Sequence, residues 1–549
     1  MIKKSYIAID AGGTRIRGYE SKGGTTFTGF GVIHSENLAF SLARSIADSI
    51  PNTVSQVESI VLSLAAIPQL AADRELIAAT LLQKVIFEKL IITSDTKAAS
   101  VSGQQNADLT ITIGTGITAI AKTNGKEIEI TGQGYLLGDE ASGFWIGRNG
   151  LNAALRFNDG RGSKTSLLLA ATDFYKKPAH QLADYLHQLP NSVAEIAAFA
   201  PFVVDAAKAG DQQAKIIMAQ AASEVSSIII AAQERAGIET VAMIGGAIPH
   251  DGYLYKEVVA ISEQFGVKFV DSTSEPLNGA RAIAEDESLQ IDLIKIKSVN
   301  ISTEVWSKLF LLTSEELINQ VTITQKESIS KSILLISDAL ASEKLIHTFG
   351  TGHSHLLAEE IFYRAGGLAA IYPILDERIM LHKDVVKGSQ NERAPGLADE
   401  LIKEHPINSG DVVIVISNSG GNQVSIELIK LAHSHGAKVI ALTSINHATS
   451  TTARSNSTDK IHQIADVVLD NAGIVGDAAI RIAGSRMAVG PTSTIVGGAI
   501  LQAIVVGSVA ELLKRGLDPE IFLSSNLAGG DENNAAIFAK YRPIINLYN

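Results

Sequence analysis

The chain has 549 residues, 46% of them hydrophobic and 19% charged, with a net charge of −12 and no cysteine. That is an ordinary soluble globular composition, too long for a single hydrophobic core. The missing cysteines exclude disulfides, thiolate zinc sites, iron–sulfur clusters and cysteine nucleophiles. An acidic balance without a Lys/Arg run argues against a nucleic-acid or anionic-membrane partner.

Abundant Ala, Ile and Gly with only 5% aromatics favour α/β architecture, whose buried parallel strands read as apolar β-branched runs. The N-terminal "MIKKSYIAID" enters a strand with no apolar signal core behind its lysines, so a cytoplasmic protein is expected. The first motif is "SYIAIDAGGTRIRGYE" (5–20), a strand, a Gly-Gly turn and a second strand. It reads either as a plain hairpin or as a phosphate loop. In the second reading Gly12 and Gly13 admit close backbone approach, Thr14 offers a hydroxyl, and Asp10 holds a magnesium-bound water.

An isolated carboxylate, Asp95, stands in "SDTKAAS" (94–100). It can cap the helix that opens there, or act as a base. The same strand–turn–strand grammar returns at "ADLTITIGTGITAIAK" (107–122), so two related halves are expected, each presenting a glycine turn to a shared cleft. "GYLLGDEASGFWIGRNGL" (134–151) and "TVAMIGGAIPH" (240–250) follow.

In this order and spacing, "DAGGT", "GTG", "LLGDEASGFWIG" and "IGG" resemble the N-acetylglucosamine kinase branch of the sugar kinase, actin and heat-shock chaperone superfamily. That branch also holds the BadF/BadG/BcrA-type ATPases. The resemblance runs from residue 1 to about 286, closing with "EPLNGARAIAE" (275–285). It implies a duplicated actin-like (ribonuclease H-like) kinase domain over 1–288 that uses ATP and Mg²⁺. By resemblance, Asp10, Gly12, Gly13 and Thr14 form the first phosphate motif, and Gly114, Thr115 and Gly116 the second. Gly245 and Gly246 would lie against the adenosine. Asp95 matches the catalytic base, while Asp139 and Asn37 match sugar ligands. Ile117 stands where relatives often carry a small polar residue, which leaves fine sugar specificity open. The cysteine-held cluster of the reductase-activating relatives is excluded here.

Helical periodicity takes over in "TEVWSKLFLLTSEELINQV" (303–321), within a structured helical connection expected over 289–325. Beyond it, "KLIHTFGTGHSHLLAEEIFYRAGG" (344–367) and "DVVIVISNSGGNQVSIELIKLAHSHGAKVIALTS" (411–444) read as strand, Ser-rich turn and helix. This predicts a doubly wound parallel sheet with ligand turns at the strand ends. Hydroxyls and N–H groups at helix N-termini suit a phosphate monoester, and no Walker lysine is present. The histidines 353, 355, 382, 433 and 435 read as surface or sugar contacts rather than a zinc site. The apolar stretch 493–513, broken by Gln502 and Ser508, reads as a core helix rather than a membrane span.

"SNSGGN" and its surroundings resemble the SIS (sugar isomerase) domain, over 326–549. The resemblance implies phosphate contacts from Ser354, Ser417, Ser419 and Thr443, with Thr492 and Ser493 of "GPTST" as additions. Glu392, or Glu359 and Glu360, could serve as acid/base groups or be plain solvated carboxylates. A fused enzyme is expected: an ATP-dependent amino-sugar kinase, acting on N-acetylglucosamine at its 6-hydroxyl, with a SIS half that binds or isomerises the phosphosugar. Two alternatives stand beside it. One is a kinase regulated by a non-catalytic phosphosugar sensor; the other is an N-acetylmuramic acid kinase with an etherase-like SIS half. The expected partners are an amino sugar, a sugar phosphate and a second copy, as a homodimer formed through the SIS domain, the kinase domain or both.

Overall fold

A computed structural model describes residues 5–548 except 13–14, 32–36, 66, 103–106, 124–125, 190, 250–251, 271–275 and 452–458. The chain divides into two compact units, Met1–Trp306 with Ile482–Gly484, and Ser307–Arg481 with Ser485–Asn549.

The first unit contains two sheets built by the same rule. In the first, β1 (Tyr6–Ala11), β2 (Arg15–Glu20) and β3 (Thr25–Phe30) form an antiparallel meander. The helix Leu38–Ser49 then leads to β4 (Ser59–Leu64), and Ala71–Leu81 leads to β5 (Lys89–Ser94); both strands run parallel to β1. In the second sheet β6 (Leu109–Ile113), β7 (Ile117–Thr123) and β8 (Lys126–Thr131) repeat the meander. Here β9 (Thr240–Ile244) and β10 (Lys268–Phe269) are the parallel additions. Two such meander-plus-crossover sheets make the duplicated, actin-like kinase fold.

The stretch expected as a helical connection begins differently. β11 (Ile294–Lys297) pairs antiparallel with β5 and completes the first sheet. Only at Thr303 does the long helix to Thr324 begin. Within 289–325, then, the first part is sheet edge and the second part is helix.

In the second unit all five strands of the main sheet are parallel, in the order β13-β12-β14-β15-β16. They are β12 (Ile346–Gly350), β13 (Ile371–Ile374), β14 (Val412–Ile416), β15 (Lys438–Thr443) and β16 (Val467–Asp470). Their unbroken apolar runs follow from burial of both faces. Ile414 and Ile440 face the helices Lys326–Ala341 and Ser493–Lys514, while Val413 and Val439 face Leu397–Glu404 and Gln423–Ser434. The helix Ser493–Lys514 is apolar and long enough to cross a membrane, as is Gln212–Ala236. Each nonetheless places one side in a core. Chain order reverses between β12 and β14, which sets the crevice at their carboxyl ends.

Candidate functional site

Three parallel strands of the first sheet end in register at Ala11, Leu64 and Ser94, one residue beyond the paired Asp10 and Ser63. Asp95 follows as the first residue of the helix Asp95–Ser102. Ser94 caps that helix, its hydroxyl accepting the Lys97 N–H at 3.0 Å. The Asp95 carboxylate is therefore not needed as a cap. Its Oδ1 accepts the Thr96 N–H at 2.6 Å and the Thr96 hydroxyl at 3.1 Å. Asp10 is buried, with Arg17 on its Oδ2 at 2.7 Å and the Ser63 hydroxyl 3.4 Å from Oδ1. Burial, and then the negative charge of Asp10, push Asp95 up to about 6. That is the environment in which a carboxylate works as a base near neutrality.

The second sheet brings its glycine turns side by side. Gly245, after β9, has φ +116°, and a Cβ there would lie 2.2 Å from the Ile113 carbonyl at the end of β6. Gly116 is close-packed in a different way: its Cβ would fall 2.8 Å from Oδ2 of Asp139, so a side chain there would push that carboxylate. Asp139 has φ +63° and accepts the Ile117 N–H at 3.1 Å on Oδ1. Burial raises its pKa. Expected as a sugar ligand, it also braces the Gly-Thr-Gly turn. Gly114 and Thr115 give their carbonyls to the N–H groups of Gly143 and Phe144, at 2.8 and 3.0 Å, locking the turn onto the helix Gly143–Asn158.

By contrast, a Cβ on Gly114 or Gly246 would meet no atom within 4 Å, and neither residue has positive φ. Among the described residues nothing requires glycine at these positions. Open space beside bare backbone is what the close approach of a phosphate or nucleotide demands. Gly12 also has room, its nearest neighbour being the Arg15 carbonyl at 3.5 Å. Gly13 and Thr14 lie outside the described residues. Asn37 precedes the helix Leu38–Ser49 and makes no side-chain cap bond.

The donor set also fits Mg²⁺. Among the described residues no group of three or more His, Asp or Glu could hold a metal. What is present is the mutually repelling pair Asp10 and Asp95. Magnesium is usually held in this way, by one or two carboxylates, with water and phosphate oxygens completing its shell.

In the second unit Ser354, Ser417 and Thr443 stand at or just beyond the carboxyl ends of β12, β14 and β15. Ser417 follows β14 and accepts the Gly420 N–H on its hydroxyl at 3.1 Å, so its proton remains available. Ser354 opens the helix Ser354–Glu360 behind β12. Thr443 donates to the Asn418 carbonyl at 3.2 Å, which makes it a brace of the Ser-rich loop. Glu392 is half-buried and accepts the Thr351 hydroxyl at 2.7 Å, and Asn422 lies 3.4 Å from the same hydroxyl. Glu392 thus belongs to the crevice, whereas Glu359 is exposed and Glu360 pairs with Arg364 and Gln502. Around Thr492 and Ser493 the hydroxyl of Thr492 is buried without a hydrogen-bond partner among the described residues, while the other donors are engaged. Both N–H groups bond Asp477 Oδ1, at 3.3 and 3.0 Å, and the Ser493 hydroxyl bonds its Oδ2 at 2.6 Å. His433 pairs with Asp466, while His355 and His435 bond the carbonyls of Gly352 and Ile407.

Sequence reading missed a cation here. Lys460 is only 6% exposed, and its Nζ donates to the Ser419 carbonyl at 3.0 Å and the Thr451 hydroxyl at 3.1 Å. Thr351 was also missed, although its place directly after an apolar strand in "FGTGHSH" is a usable signal. Lys460 has none, since it reaches the loop across 41 residues.

Fold and site together define a sugar-kinase-like ATPase domain joined to a SIS domain. Residues 7–284 match the BadF/BadG/BcrA/BcrD ATPase family and residues 310–444 match the SIS domain. The chain belongs to the BadF/BadG/BcrA/BcrD ATPase family and also groups with the UPF0309 proteins. It is 41% identical to a UPF0309 protein of Halalkalibacterium halodurans over 225 residues, 41% of this chain and 93% of that protein. A UPF0309 protein of Listeria innocua is 41% identical over 212 residues, 39% of this chain and 86% of that protein. Among solved structures, a ROK family glucokinase from Streptomyces griseus in complex with glucose and AMPPNP aligns at 17% identity and TM-score 0.34. It covers 51% of this chain and 98% of its own. A candidate N-acetylglucosamine kinase from Chromobacterium violaceum aligns at 22% identity and TM-score 0.38, covering 51% and 99%.

Proposed function

We propose that the first unit is an amino-sugar kinase that phosphorylates N-acetylglucosamine at its 6-hydroxyl, with Asp95 as the general base. The observation that carries this reading is Asp95 itself. It is relieved of capping by Ser94, raised to about 6 by burial and Asp10, and belongs to the same unit as glycine turns with room for a nucleotide. In the step, the acceptor hydroxyl oxygen bonds the γ-phosphorus while the bond to the β,γ-bridging oxygen breaks. The bonding pair leaves with ADP, and the hydroxyl proton passes to Asp95. Asp10 would hold Mg²⁺ through water, which when bound neutralises charge on the phosphates. The choice of sugar rests on the likeness of "LLGDEASGFWIG" to the N-acetylglucosamine kinase branch. Use of ATP suits a cytoplasmic enzyme. A coupled ADP-release screen across hexoses and N-acetylated amino sugars tests the substrate, and turnover confined to hexoses without an acetamido group would reject it.

For the second unit we propose a phosphosugar site in the β12/β14 crevice. Among the described residues the hydroxyls of Ser354 and Ser419 have no hydrogen-bond partner and face no competition for their protons. A ligand confined to the folded state stabilises it by about 2.7 kcal/mol at a hundredfold excess over Kd. That raises Tm by a few degrees. Melting of the full chain with the kinase's sugar 6-phosphate is therefore expected to shift upward, with no shift from the unphosphorylated sugar in this transition. Ser419→Ala should weaken the effect by roughly 1.5–3 kcal/mol, the worth of a hydrogen bond to a charged group. Equal shifts in wild type and Ser419→Ala would defeat the assignment. Glu392, held by Thr351, is the candidate proton-transfer group for isomerisation. If Glu392→Gln retains the shift but loses conversion of the sugar phosphate, the half is catalytic. If wild type shows binding without conversion, it is a sensor.

A further inference from the structure

The hydroxyl of Thr96 touches both the Asp95 carboxylate and Thr118, a residue of the second strand–turn–strand motif to which no role has been given. Thr96 is 1% exposed. Its N–H and hydroxyl both reach Asp95 Oδ1, and its hydroxyl also bonds the hydroxyl of Thr118. An ionised carboxylate only accepts, so the order of donors is fixed. Thr118 donates to Thr96, and Thr96 donates to Oδ1. Among the other described residues none donates a hydrogen bond to Oδ2. One carboxylate oxygen is anchored twice, and the other is left to take a proton.

Thr118 lies on β7, two residues beyond Gly116 and next to Ile117, whose N–H binds Asp139. The hydroxyl chain therefore runs from the strand that carries the second glycine turn, in one sheet, to the base at the end of β5, in the other. We infer that Thr96 and Thr118 are positioning residues of the phosphoryl transfer. They lock Asp95 through Oδ1 so that Oδ2 faces the acceptor hydroxyl, and they tie the base's orientation to the strand of the Gly114–Gly116 turn. Neither residue touches the reacting atoms. This inference rests on the reading of Asp95 as the base.

The test compares Thr96→Val, Thr96→Ser, Thr118→Val and Asp95→Asn in the full chain by steady-state kinetics. Val keeps the shape of Thr96 and its N–H, but removes the hydroxyl. Loosening a base by an ångström costs up to about 10²-fold, so Thr96→Val is expected to lower kcat by roughly tenfold or more. KM for ATP and for sugar should stay near wild type, because nothing that binds either substrate is removed. Thr96→Ser restores the hydroxyl and is expected to return kcat to within about twofold of wild type. Thr118→Val should lower kcat less, and combining it with Thr96→Val should add almost nothing, since both cut one chain. Should Thr96→Val not fold, Thr118→Val on the partly exposed strand carries the same comparison. Wild-type kcat in both valine variants, or losses confined to KM, would overturn the inference. The two failures are separable. An active Asp95→Asn overturns the kinase reading itself, while an inactive Asp95→Asn beside fully active valine variants overturns only the relay.

Discussion

Asp95→Asn should lower kcat by roughly 10²-fold or more while leaving KM for ATP nearly unchanged. The asparagine keeps an acceptor for the Thr96 N–H, and the helix keeps its Ser94 cap, so the loss is chemical rather than structural. The pH dependence has a definite sign. A base is active when deprotonated, and Asp95 is raised to about 6. kcat/KM should therefore fall below about pH 6, tenfold per pH unit. Stability runs the opposite way. A carboxyl whose folded pKa exceeds its unfolded value binds its proton more tightly when folded, so this residue's contribution falls as pH rises from about 4 through about 6. At pH 7 the asparagine variant is expected to melt no lower than wild type. Near-normal turnover in a well-folded Asp95→Asn protein would return the residue to a structural role.

Gly114→Val should abolish nucleotide binding and leave the fold intact. A Cβ at Gly114 points into space with no atom within 4 Å, and its φ is not positive. The chain can therefore accept the side chain that an approaching phosphate cannot. Titration calorimetry with ATP reads the loss, and an unchanged Tm without nucleotide shows the fold. Gly245→Ala supplies the contrast: at φ +116° and 2.2 Å from the Ile113 carbonyl, it should destabilise the unit itself. Retained ATP affinity in Gly114→Val would rule out the proposed cradle.

What could be read from the sequence was whatever is local. The strand–turn–strand pairs at 5–20 and 107–122 stood out because β-branched runs bracket glycines, and the parallel strands of the second unit because burial on both faces makes them continuously apolar. Asp95 was legible as a lone carboxylate at a strand end. Its freedom from capping was not, since that depends on the rotamer of Ser94. β11 was hidden beside a stronger helical signal, although Ile294, Lys295, Ile296 and Lys297 alternate as an edge strand should. Contacts that join distant segments left no local pattern at all. Lys460 on Ser419, Asp477 on the helix start at Ser493, and Thr118 on Thr96 each come from tertiary folding rather than from spacing.

The packing of Asp139 against Gly116 bears on how this protein can drift. A methyl at position 116 collides with the carboxylate at 139, while loss of that carboxylate frees the Ile117 N–H. The two sites are therefore one unit of inheritance. A lineage that enlarges residue 116 must move the carboxylate at 139 and strain its bond to the Ile117 N–H, a cost that a shorter residue 139 relieves. Descendants should show the pair exchanged together, with a new partner for the backbone at 117, or not exchanged at all.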